Sequence, residues 1–67
     1  MSPEKMVQMA NQIATFFDSQ PGEQAAESTA THLRDFWTPT MRERLKEYVA
    51  SGGDGLRETA LQAARQL

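Results

Sequence analysis

A chain of 67 residues allows one small domain, and at this size burial and ordering entropy nearly cancel, so such proteins usually add a disulfide, a metal or a partner. Having no cysteine excludes a disulfide, a thiolate metal site and a redox motif, and a single histidine cannot close a zinc site. Seven basic against nine acidic residues, a net charge of −2, argue against a binder of nucleic-acid phosphates and leave a partner chain or self-association as the remaining source of stability.

Ser2-Pro3-Glu4 has the form of a helix start: a capping hydroxyl, a proline at the first position and an acid in the first turn. Met6, Met9, Ala10, Ile13, Ala14, Phe16 and Phe17 follow at three- and four-residue spacings, with Gln8, Asn11, Gln12 and Thr15 on the other side. Asp18-Ser19-Gln20-Pro21-Gly22 then breaks the pattern, so the first helix is expected over about 3–18. A second is expected over about 23–37, with Glu23 and Glu27 near its positive end and Ala26, Ala30, Leu33 and either Phe36 or Trp37 as its apolar stripe. Ala25, Ala26 and Ala30 are small enough to let a neighbouring helix come close.

Thr38-Pro39 repeats the cap-and-proline signal. Pro39 also drives Thr38 out of the helical region, so the second helix must end and a third begin, over about 39–50. Met41, Leu45, Tyr48 and Val49 face inward on it, and Arg42, Glu43, Arg44, Lys46 and Glu47 make a charged face. Ser51-Gly52-Gly53-Asp54-Gly55 ends it, and Asp54 is the expected cap of a last helix over about 56–66. Leu56, Ala60, Ala63 or Ala64, and Leu67 give that helix a thin stripe, which predicts fraying or docking elsewhere. With no β-type alternation, repeat or low-complexity tract, the expected fold is all-α: a single domain over 1–67 with three main helices and a short C-terminal one.

Little in the sequence resembles reaction chemistry. His32 with Asp35 one turn away is too common a spacing to define a base, and catalysis would need a nucleophile or second base beside it. Met6 and Met9 have a spacing suited to a soft metal but share a stripe with Ile13 and Phe16, where core packing is the simpler reading. The Ser51–Gly55 loop lacks the Lys-Ser/Thr pair of a phosphate loop and reads as a turn. Arg34, Arg42, Arg44 and Lys46 around the Trp37–Pro39 bend have the composition of an interface hot spot, against the plainer reading of a solvated face interleaved with Asp35, Glu43 and Glu47. No apolar run is long enough to cross a bilayer. Met1-Ser2-Pro3-Glu4-Lys5 lacks the layout of a secretory leader, so a cytoplasmic protein is expected.

Two stretches then carry a resemblance. Lys5-Met6-Val7-Gln8-Met9-Ala10-Asn11-Gln12-Ile13-Ala14 is similar to the opening of the delta subunit of cytosolic NAD-dependent formate dehydrogenases. His32-Leu33-Arg34-Asp35-Phe36-Trp37-Thr38-Pro39-Thr40-Met41-Arg42, followed by Gly52-Gly53 and Gly55-Leu56, resembles its second half. The likeness runs from about Lys5 to Leu56, and the pairing of the two stretches is the specific signal. It implies an accessory subunit, itself without a redox centre or active site. The large (alpha) subunit of that enzyme holds bis-molybdopterin guanine dinucleotide with molybdenum or tungsten, and iron–sulfur clusters; FMN and NAD sit on further subunits. The implied role is assembly or stabilisation of the large subunit, including cofactor insertion.

The expectation is therefore a chain with no catalytic, cofactor or metal residues of its own. His32, Phe36, Trp37, Pro39, Met41 and Arg42 are its candidate partner-binding residues. A free-standing interaction or regulatory module, nucleic-acid-binding or antitoxin-like, is the rival reading. A small enzyme or metal chaperone using His32 and the methionines is a third.

Overall fold

Both proline-led helix starts are formed. The computed structural model describes residues 2–67, and these fold as four helices with no strand among them: α1 (Pro3–Asp18), α2 (Ala25–Phe36), α3 (Pro39–Ala50) and α4 (Glu58–Ala64). The Ser2 hydroxyl accepts from the Lys5 N–H at 3.2 Å, and the Thr38 hydroxyl accepts from the Met41 N–H at 3.2 Å. Each satisfies an orphan donor of a first turn. Thr38 is extended (ψ 159°), as the following proline requires, and Trp37 before it is extended as well (ψ 145°).

Two boundaries differ from the sequence expectation. Helix α2 starts at Ala25 rather than 23, because Gly22 still turns the chain at φ 112° and Gln24 supplies no side-chain cap. It also stops at Phe36, leaving Trp37 as the capping residue. Helix α4 is shorter than 56–66, and Asp54 does not cap it. Leu56 enters the core from the loop, Arg57 holds the N-cap position, and the donor to be satisfied there is met by another helix.

The larger correction concerns where α4 sits. Its thin alanine stripe predicts fraying or docking elsewhere, yet α4 packs against α1, α2 and α3 of its own chain, and α3 meets the other two helices only sparsely. Ala60, Ala63 and Ala64 are buried, together with Ala10 and Ala14 of α1 and Ala30 of α2. Alanine carries nothing beyond Cβ, so these faces bring backbones together instead of interleaving long side chains. Met6, Leu33, Trp37, Leu45 and Leu56 complete the core. A seven-residue helix is far below the length that holds together alone, so this packing is what keeps α4 helical.

The α3–α4 loop is built to deliver it. The Gly53 N–H reaches the Tyr48 carbonyl at 3.0 Å and the Gly52 N–H reaches that of Val49 at 3.0 Å, the paired bonds of a Schellman ending with Gly52 at positive φ. The Tyr48 hydroxyl donates to the Asp54 carbonyl at 2.6 Å across the same loop. Gly53 is buried at φ 64°, and a Cβ there would collide with the Leu61 side chain. Gly53→Ala adds left-handed strain and presses on the flexible end of Leu61, which can shift, and is expected to cost about 1–2 kcal/mol. Gly22→Ala has open space around it, but φ 112° lies outside the left-handed well, so its cost is backbone strain alone. Chemical denaturation of the two variants reads the difference.

Candidate functional site

The Trp37–Pro39 bend divides its residues between inside and outside. Leaving the helix at Trp37 turns the indole into the core, 5% exposed, whereas Phe36 one residue earlier still points outward at 73%. Of the two aromatics offered for the apolar stripe of α2, Trp37 is therefore the core residue. Pro39 is exposed and Met41 half-buried. Arg42 is half-buried and does not lie on α3's solvent face. One of its guanidinium nitrogens donates to the Arg34 carbonyl at 2.7 Å and the Trp37 carbonyl at 3.1 Å, the last acceptors of α2. A cation is favoured at that end of a helix, so Arg42 serves as the C-terminal cap of the helix before its own.

The expected basic cluster does not assemble. Arg34 donates instead to the Gln66 carbonyl at 3.1 Å, tying the C-terminal residues to α2. Arg44 stands with Met6, Met41, Glu47 and Tyr48 around a cleft of about 300 Å³ between the start of α1 and α3.

A different set of residues comes together across α1 and α2. Phe16 and Phe17 meet edge to face with centroids 5.1 Å apart; Phe17 approaches His32 at 6.2 Å, and His32 stacks against Phe36 at 4.6 Å. All four belong to one continuous row. Phe16 is 58% exposed, although its spacing had placed it on the buried stripe of α1. The buried stripe is narrower, running through Met6, Ala10 and Ala14, with Met9, Ile13 and Phe17 at its margin. Because the fully buried residues of α4 are all alanines, α1 and α2 sit close to it, and the bulky rings are left at the outer seam. Beside the row, Phe17, Glu27, His32, Asp35 and Phe36 line a groove of about 400 Å³. Of the six sequence candidates, His32 and Phe36 belong to this surface.

Two polar residues that matter to the fold are unmarked in the hydrophobic pattern. Asn11 bridges α1 to the last loop: its Nδ2 donates to the Gly55 carbonyl at 2.9 Å and its Oδ1 accepts from the Arg57 N–H at 2.9 Å. Asp18 ends α1 by accepting from the Thr59 hydroxyl at 2.6 Å and pairing with Arg57 at 3.4 Å. A carboxylate at the C-terminus of its own helix is unfavourable; the N-terminus of α4 beside it reverses the sign. The available signals were an asparagine in mid-helix and an acid in a last turn, both poor local choices that a tertiary partner explains.

His32 makes no hydrogen bond to Asp35 among the described residues, and no three His, Cys, Asp or Glu side chains there gather closely enough to hold a metal ion. No helix is long and apolar enough to cross a membrane among those residues. Fold and surface define a small all-α domain whose polar side chains tie helices to loops and whose aromatic row is left uncovered. The model of the family described as NADH-dependent formate dehydrogenase delta subunit, FdsD, matches residues 5–64, and the chain belongs to that family. The match continues past Leu56 through all of α4, further than the two resembling stretches reach. Neither the curated proteins nor the solved structures gave a match to the chain.

Neighbouring aromatics in the sequence should respond in opposite ways. Trp37→Ala empties a core position and should cost about 3–5 kcal/mol of unfolding free energy, whereas Phe36→Ala should change it by no more than about 0.5 kcal/mol. Denaturant titration of both variants gives the comparison. Asn11→Ala removes two bonds to the α4 entry and should cost about 1–2 kcal/mol in the same assay.

Proposed function

We propose that this chain is a non-catalytic subunit that binds the large, molybdopterin-carrying subunit of a formate dehydrogenase in the cytoplasm. There it supports assembly, cofactor insertion or stability of that subunit. The observation that carries the reading is the family match over residues 5–64, which spans every helix of the fold except the first two residues of α1. The chemistry of the chain agrees with it. Asn11, Asp18, Arg34, Arg42 and Tyr48 are engaged in holding helices and loops in place. A supporting role needs a stable shape and a surface, and both are present.

On this reading the molybdenum or tungsten pterin, iron–sulfur clusters, FMN and NAD belong to other subunits, and this chain acts on them through the large subunit. Deleting the gene should lower formate-dependent NAD reduction together with the metal and pterin content of the large subunit, measured on the purified complex. Full activity with full cofactor content in the deletion strain would contradict the proposal.

A further inference from the structure

The aromatic row has an electrostatic side that the proposed function leaves open. On α2, Ser28, His32 and Phe36 follow one another at four-residue intervals, and Glu27, Thr31 and Asp35 form the adjacent row. The two rows share one groove: Phe17, His32 and Phe36 supply its apolar surface, and Glu27 and Asp35 stand at its edge. No lysine or arginine lines it. Among the described residues neither carboxylate has an ion pair or a side-chain hydrogen bond. Phe36, at 73% exposure, offers a ring beside Asp35 in a chain of net charge −2.

We infer that this groove is the docking site for a basic segment of the large subunit, with an arginine seated over Phe36 beside Asp35, a second basic side chain about two helical turns away at Glu27, and an apolar neighbour against Phe17. The inference rests on the accessory-subunit reading and adds to it the face used and the chemistry of the occupant. A guanidinium satisfies both halves of the groove at once, since its plane stacks on an aromatic ring while its N–H groups reach a carboxylate. A second copy of this chain fits poorly. A two-fold contact through the groove would set the Glu27 and Asp35 rows of two copies against each other, and like charges facing across an interface oppose association. The α1–α3 cleft, lined by Arg44 as well as Glu47, has no such single sign.

The test measures binding of the full chain to the purified large subunit, in low and in high salt, with thermal melts confirming that each variant is folded. The variants are Phe36→Ala, the pair Glu27→Lys with Asp35→Lys, and Arg44→Glu in the opposite cleft. Wild type should bind and weaken as salt rises. Phe36→Ala and the charge-reversed pair should each lose at least about tenfold in affinity, with the loss from the reversed pair shrinking at high salt. Arg44→Glu should bind as wild type does.

Unchanged or tighter binding by the charge-reversed pair would overturn the inference, as would an unaffected Phe36→Ala. Loss of binding in Arg44→Glu alone would place the contact in the other cleft and leave the accessory-subunit reading standing. Sedimentation showing a dimer of the free chain that Phe36→Ala abolishes would make a second copy the occupant. Failure of the wild-type chain to bind the large subunit would remove the accessory-subunit reading and this inference together.

Discussion

The structure depends on close packing of an alanine-faced helix. Helix α4 is the shortest element, yet it is the one that packs extensively on all three others, and α3 joins the bundle chiefly through it. Nothing about seven residues with three buried alanines makes a helix persist by itself. It persists because Ala10, Ala14 and Ala30 on α1 and α2 are equally short, so three backbones draw together where larger side chains would hold them apart. Leu33, Trp37, Leu45 and Leu56 then fill the ends of a core whose centre is narrow.

That narrowness has consequences at both ends of α4 and on the outer surface. The entry to α4 is fixed by Asn11 and Asp18 from α1, and Arg34 of α2 holds the segment beyond its end through Gln66. Polar side chains of α1 and α2 thus anchor the helix that apolar contact alone would leave weakly held. On the far side, a centre made of alanines has no room for Phe16, Phe17, His32 and Phe36. These rings stack on one another along the α1–α2 seam. The same constraint that brings α4 inside leaves the aromatic row outside, where Glu27 and Asp35 border it. Core and candidate surface are two results of one packing choice.

Much of the fold was legible in the sequence because its signals are local. Ser2-Pro3 and Thr38-Pro39 carry their own capping chemistry, and the Gly52-Gly53 stop needs only a backbone that tolerates positive φ. The place of α4 was not legible, since periodicity measures how apolar a stripe is and not how closely its partner can approach. Trp37 and Phe36 show the same limit. Both fit a helical stripe, and which of them turns inward is decided by the point where the helix ends. Arg42 read as part of a charged face because its acceptors lie on the preceding helix. Phe16 was misplaced for the reason that α4 was: a stripe against alanines is narrower than a stripe against leucines. The family resemblance was visible from about Lys5 to Leu56 in two stretches, and α4, with its alanines and few distinctive residues, added nothing recognisable although the family match includes it.

Amide hydrogen exchange, followed residue by residue in the free chain and in the chain bound to the large subunit, tests the central claim most directly. In the free chain α4 should exchange among the slowest segments despite being short and near the C-terminus. On binding, new protection should appear along α2 from Ser28 to Phe36 and at the Phe16–Phe17 end of α1, with α4 little changed. Rapid exchange throughout α4 in the free chain, or protection on binding confined to α3 and α4, would contradict the account.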